Sequence, residues 1–166
     1  MKNLFDVKDK RIVITGGAGV LCSTMAKDLA SEGAKVCIAD YDEFRANKLA
    51  QEIEADGGFA LPIRMNVLEK AEVISGFQCA LESMGGIDVL INGAGGNKKE
   101  ATATEELPFF DMPTDAIRWV FDLNFVPSFQ AVKTREYIEQ IAATLPHSKE
   151  ITEAVSHARD YVNRHL

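Results

Sequence analysis

Arg11 to Asp40 reads RIVITGGAGVLCSTMAKDLASEGAKVCIAD, and this stretch decides the fold. Ile12, Val13 and Ile14 form a short β-branched run bounded by glycines, too short for a helix and suited to a buried strand. Gly16, Gly17 and Gly19 follow, and then a helical pattern with Leu21, Met25, Ala26 and Leu29 expected on its inner face. Gly33 is placed to end that helix. Val36, Cys37, Ile38 and Ala39 make a second buried strand, closed by Asp40. Strand, glycine turn, helix, strand and terminal acid together describe a βαβ unit that binds dinucleotides. Glycines let the backbone approach a pyrophosphate, the helix N-terminus offers unpaired N–H groups, and the acid accepts from ribose hydroxyls. The spacing departs from the generic fingerprint at one point, because Cys22 stands where a third glycine belongs.

Outward from this unit, composition restricts the partners. The 166 residues suit one domain with a sizeable core, and 46% hydrophobic with 26% charged residues is the balance of a soluble globular protein. A net charge of −7 argues against nucleic acid as a partner and leaves no basic patch for a membrane surface. Lys2, Asp6, Lys8, Asp9, Lys10 and Arg11 precede any apolar run, so no signal peptide is expected. Cys22, Cys37 and Cys79 are odd in number and lack metal-binding spacing, which points to buried thiols in a reducing cytoplasm. His147, His157 and His165 are spaced too widely to form a helical ligand pair, so no metal site is expected.

Beyond Asp40 the alternation continues. Glu43 to Asp56 reads as a helix with Phe44, Leu49, Ala50 and Ile53 inward, and Phe59 to Met65 as a third strand. Glu69 to Met84 reads as a helix carrying Val73, Phe77, Ala80, Leu81 and Met84 on its apolar side, and Ile87 to Ile91 as a fourth strand. Alternation of this kind predicts an α/β protein, a parallel sheet with helices on both faces. Asn97 to Asp115 is a polar loop after a strand's carboxyl end, where Lys98 and Lys99 are placed either to face an anionic substrate or simply to meet solvent. Ile117, Val120, Phe121 and Phe125 then mark a fourth helix.

At the end of the fourth strand stands Asn92-Gly93-Ala94-Gly95-Gly96-Asn97. With Thr15-Gly16-Gly17-Ala18-Gly19 and with Asn124 in WVFDLNF, it resembles the short-chain dehydrogenase/reductase family over about residues 5 to 126. GGAGVLC and NGAGGN are similar to the family's sugar-acid branch, the D-mannonate or fructuronate oxidoreductases. The resemblance implies a three-layer Rossmann-like fold with strand order 3-2-1-4, here in truncated form and followed by C-terminal helices. It implies NAD as cofactor, in preference to NADP because Asp40 ends the second strand. The implied cofactor contacts are Thr15, Gly16, Gly17, Gly19, Val20 and Leu21 in the first turn, with Asp40, and Asn66 and Val67 after the third strand. Asn92, Gly93, Ala94 and Gly95 complete that set, and Asn124 is the only matching member of the catalytic tetrad.

Two departures stand inside the match. Most family members carry glycine where Val20 and Cys22 stand, and an Asp-Val pair where this chain has Asn66-Val67. From about Pro127 the resemblance ends, and residues 127–166 read as a helical tail with apolar faces around Ile138, Ile141 and Leu145 and around Ile151, Val155 and Val162. No Tyr-x-x-x-Lys occurs: Tyr41 is followed at the fourth position by Arg45, Tyr137 by Ile141 and Tyr161 by His165. In the family that tyrosine delivers the proton and that lysine grips the nicotinamide ribose. The expectation is therefore an oxidoreductase-family chain of the sugar-acid type that binds NAD but does not turn over alone. The alternative is a non-catalytic nucleotide-binding or protein-interaction module using the tail helices. A fourth strand lacking its outer neighbour is an open apolar edge, so either the tail covers it or copies of the chain associate through it.

Overall fold

The computed structural model describes residues 6–125. The two tail helices expected from the sequence lie outside the described residues. Four strands and four helices alternate: β1 (Arg11–Thr15), α1 (Val20–Ser31), β2 (Lys35–Asp40), α2 (Glu43–Ala55), β3 (Phe59–Arg64), α3 (Lys70–Met84), β4 (Val89–Asn92) and α4 (Thr114–Asn124). Two single 3-10 turns, Lys99–Ala101 and Phe109–Asp111, punctuate the long loop between β4 and α4.

All strand pairs are parallel, as the alternation predicts, and the sheet order is β3-β2-β1-β4, as the family resemblance implies. The β-branched runs lack a polar alternation because both faces of the sheet are covered. Ile12, Ile14, Val36 and Ile38 point to one face and meet Ala26, Ala30, Ala46, Leu49 and Ile53. Val13, Cys37, Ala39 and Ile63 point to the other and meet Val73, Phe77, Ala80 and Met84 of α3. At the far end of the sheet from the glycine turn, Arg11 clamps Asp88 with Nε and Nη2, each at 2.8 Å, and donates from Nη1 to the Gly85 carbonyl at 2.6 Å.

Several expected inward residues lie outside. The stripe of α1 that meets the sheet is Cys22, Ala26 and Ala30, spaced four apart, while Leu21 is 75% exposed and Met25 45%. Small side chains let this helix sit close on the sheet, and the bulky residues turn to its flanks. Phe44 lies two positions, about 200° of helix, before the buried Ala46, so it faces solvent. Phe121 and Phe125 stack on each other at 5.6 Å on the outer side of α4, whose inner side carries Ala116 and Leu123. Cys79 is exposed, because the buried stripe of α3 runs through Val73, Phe77, Ala80 and Met84 beside it; Cys22 and Cys37 are buried as expected. Burial pushes the Cys37 thiol up to about 12, and burial with the Asp40 charge also raises Cys22. Among the described residues no helix is long and apolar enough to cross a membrane.

Candidate cofactor site

The register sets Thr15 beside Ala39 on one side and beside Asn92 on the other, so three strands end at one level of the sheet. The chain steps outward from β1 through β2 to β3, then crosses back to place β4 on β1's other side. The crevice between the ends of β1 and β4 is thus the switch point of the topology, where open α/β sheets bind ligands.

Two glycine-rich turns meet in that crevice. Gly16 adopts φ +63°, and a Cβ there would sit 2.7 Å from Ala94 Cα. Only glycine combines this left-handed conformation with such close approach. The buried Thr15 hydroxyl accepts from the Ala94 N–H at 3.3 Å, and Gly93 N–H donates to the Thr15 carbonyl at 3.1 Å. A Cβ at Gly93 would collide with the Cys22 sulfur. The cysteine that stands where the fingerprint's third glycine belongs thus leaves no room for a side chain at residue 93.

Asp40 braces the turn from the side. Its Oδ2 accepts from the Ala18 N–H and its Oδ1 from the Asp42 N–H, both at 2.9 Å. Each oxygen keeps a lone pair for a further donor. The helix that follows starts at Gly19 with no side-chain cap, and the first-turn N–H groups of any α-helix lack intrahelical acceptors. With the helix dipole they form a ready site for an anion. On the third strand's side, Asn66 accepts from the Leu68 N–H through Oδ1 at 3.1 Å, and Glu72 holds the Asn66 N–H at 2.8 Å. That Glu72 carboxyl is held below the usual carboxylate range, first by the Asn66 backbone bond and then by Arg64.

A cleft of about 580 Å³ opens over these groups, within the range of small-molecule sites. Of the residues expected from the sequence it gathers Gly16, Gly19, Asp40, Asn66 and Val67, together with Gly93, Ala94 and Gly95. Others lie off its wall. Thr15 is buried beneath it, Gly17 packs against Ile14 and Ile38, and Val20 and Leu21 begin α1 with exposed side chains. Asn92 closes β4 as an exposed residue just before the lining glycine. Asn124 also stands behind the wall, where Nδ2 donates to the Gly96 carbonyl at 2.8 Å and to the Val120 carbonyl at 2.7 Å. Its Oδ1 accepts from the Gly96 N–H at 3.2 Å and would lie 2.5 Å from a Cβ on Gly95. Asn124 thus pins the loop after β4 to α4.

The cleft also includes residues the sequence reading did not assign to it: Tyr41, Arg45, Met65, Leu68, Trp119 and Leu123. Arg45 is the first arginine after Asp40 in the sequence, and its place follows from Asp42, which caps the Arg45 N–H at 3.0 Å and starts α2 beside the cleft. Trp119 and Leu123 sit four apart on α4, a helical spacing visible in the sequence but outweighed there by the phenylalanines. Lys98 lies over the Trp119 ring at 4.4 Å, so it is engaged with the wall of the cleft. Among the described residues no cluster of metal-ligating side chains occurs.

The comparisons with known proteins follow this geometry. The family model for short chain dehydrogenases matches residues 10–144, beyond the point near Pro127 where the motifs run out. An uncharacterised oxidoreductase of Haemophilus influenzae is 40% identical over 134 residues, 74% of this chain and 47% of the relative. An uncharacterised oxidoreductase of Bacillus subtilis is 39% identical over 130 residues, with the same shares covered. The chain spans about half the length of these curated relatives. Among solved structures, a protein provisionally named D-mannonate oxidoreductase from Haemophilus influenza, with NAD bound, superposes with a TM-score of 0.72 at 34% identity, covering 81% of this chain and 52% of that one. A 3-ketoacyl-(acyl-carrier-protein) reductase from Brucella melitensis, complexed with NADH, gives 0.67 at 26% identity over 82% of this chain and 53% of that one. With its 3-2-1-4 sheet and its paired glycine turns, the chain belongs to the short chain dehydrogenase family.

Proposed function

We propose that this chain binds NAD in the cleft at the β1–β4 switch point and forms the cofactor-binding part of an oxidoreductase acting on sugar acids. The observation that carries the reading is the meeting of Gly16 with Gly93 and Ala94 beside the Asp40 carboxylate. The residues present fit the group. Glycines leave the floor bare, the uncapped start of α1 suits a pyrophosphate, and the remaining lone pairs of Asp40 suit the adenosine ribose hydroxyls. Asn66 spends its Oδ1 on the Leu68 N–H, which leaves its amide N–H donors for the adenine edge. When bound, the nicotinamide supplies or accepts a hydride. The chain's own part is to orient the dinucleotide and to repel a 2′-phosphate through Asp40.

Proton delivery is a different matter. The sequence holds no Tyr-x-x-x-Lys, and both amide hydrogens of Asn124 are committed to backbone carbonyls, so Asn124 serves the scaffold. Binding without turnover by this chain alone is the expected behaviour, and it also favours the second reading, a nucleotide-binding module. Sugar-acid specificity is supported by the GGAGVLC and NGAGGN motifs and by the likeness to the NAD-bound protein from Haemophilus influenza. Trp119 is the single tryptophan and lines the cleft, so it reports directly on occupancy. Titration with NADH should quench its emission, NADPH should bind less tightly, and NADH oxidation with fructuronate or related keto-sugar acids should stay at background. Turnover that survives purification would overturn the inactive assignment, and absence of quenching or calorimetric heat would overturn the cofactor reading.

A further inference from the structure

We propose that Lys98 anchors the carboxylate of the substrate and so sets the choice of an acid over a neutral sugar. The inference rests on the sugar-acid reading of the function and names the residue that would carry it. β4 ends at Asn92, and the loop that follows lines the cleft with Gly93, Ala94 and Gly95 before it reaches Lys98. The backbone of Lys98 is held at both of its polar groups. Its N–H donates to Asn97 Oδ1 at 2.9 Å, and its carbonyl accepts from the Ala101 N–H at 3.0 Å and from Thr102 Oγ1 at 3.1 Å. Asn97 Nδ2 donates in turn to Thr102 Oγ1 at 2.9 Å, so the loop places this lysine by its own hydrogen bonds.

The side chain is fixed at its root and uncommitted at its tip. Its ammonium lies 4.4 Å from the centre of the Trp119 ring, which lines the cleft, and it forms no ion pair among the described residues. Glu100 and Asp115 share with it the lining of a neighbouring hollow of about 380 Å³, and Asp115 is taken by Arg118 at 3.1 Å. A ring attracts a cation but gives its three N–H donors no strong acceptor. Lysine suits the task because its flexible stem can carry a point charge from the ring onto a ligand. In a chain of net charge −7, a cation beside the cleft is also what draws an anion to it. A carboxylate seated there replaces the ring as the partner of the ammonium, whereas a neutral sugar offers the charge nothing better than the ring.

The test is calorimetric titration of the full, NAD-loaded chain with D-mannonate and with D-mannitol, which share a carbon skeleton and differ at one end in carboxylate against hydroxymethyl. The acid should bind at least about tenfold more tightly, the size of one charge-assisted contact. Lys98→Met, which keeps an apolar stem, should bring the two affinities together by weakening the acid. Lys98→Arg, which keeps the charge, should retain most of the discrimination, and added salt should erode it. Lys99→Met, at the exposed neighbouring lysine, should retain it as well. Discrimination that survives Lys98→Met, or that falls as far in Lys98→Arg or Lys99→Met, overturns the role of Lys98 and leaves the sugar-acid reading standing. Equal binding of the acid and mannitol by the natural chain, or binding of neither, overturns both.

Discussion

At residue 22 the chain departs from its family, and at residue 93 the structure shows what compensates. The sulfur of Cys22 fills the volume that a side chain on Gly93 would need. Asparagine, the family's residue at the second motif position after strand four, would be overpacked there, at a cost on the order of 2 kcal/mol. Gly93→Asn should therefore destabilise the chain strongly in urea unfolding, and Cys22→Gly mildly, by about 1 kcal/mol for glycine near a helix start. The double variant should be more stable than the sum of the two predicts, with a coupling of about 1–3 kcal/mol. Simple additivity would show that the two positions are independent. A second residue-scale prediction concerns Asp88, which the Arg11 hydrogen bond holds below the usual carboxylate range despite partial burial. Because its folded value is depressed, its stabilisation is complete above the unfolded value, near pH 4, and is lost as pH falls through the folded one. Asp88→Asn should cost about 1 kcal/mol at pH 7, the lower end for a charged hydrogen bond at a partly open site, and almost nothing in acid. Unfolding curves at the two pH values check this, and a pH-independent difference would assign the cost to packing.

At the scale of elements, the cofactor cleft depends on how α4 is joined to the loop after β4. Asn124 makes three hydrogen bonds to backbone, two of them to Gly96, and Gly95 leaves room for its amide. Trp119 and Leu123, on the same helix, complete the cleft wall. Asn124→Ala should lower stability by about 1–2 kcal/mol and weaken NADH binding several-fold, because the loop carrying Gly93 to Gly95 is no longer held against the turn at Gly16. Asn124→Asp keeps an acceptor for the Gly96 N–H but no donor, and should recover part of the stability at most. Fluorescence titration of both variants measures this. Binding unchanged in Asn124→Ala would confine the residue to a role within its own helix, through the Val120 carbonyl alone.

For the whole molecule, the described sheet places β4 at one edge with β1 as its described neighbour and Val89 40% exposed. Edge strands with apolar side chains pair with other chains unless something covers them. Unless residues 127–166 cover this edge, copies of the chain should associate through it, and static light scattering across a dilution series decides between the two. Val89→Lys should shift the distribution toward monomer, since a charged edge disfavours pairing. A monomer at every concentration in the natural chain would rule the edge out as an interface.

Both glycine turns could be read from the chain because each is a local chemical requirement, whereas the sheet order followed from the family resemblance. Buried parallel strands demand continuous β-branched runs, the close approach of two backbones demands glycine, and the acid stands at the end of its strand. Asp40, Gly16 and Gly93 were therefore visible before any coordinates. Which face of each helix turns inward was less legible, as Leu21, Met25 and Phe44 show. Hydrophobicity marks a residue as eligible for the core, but the closeness of α1 to the sheet selects Cys22, Ala26 and Ala30 instead. Only the tertiary structure brought Cys22 to Gly93, Asn124 to Gly96 and Arg45 to Ala18, pairs separated by 71, 28 and 27 residues in the sequence. Such contacts follow from the packing of whole elements on the sheet, whose distances no local pattern encodes.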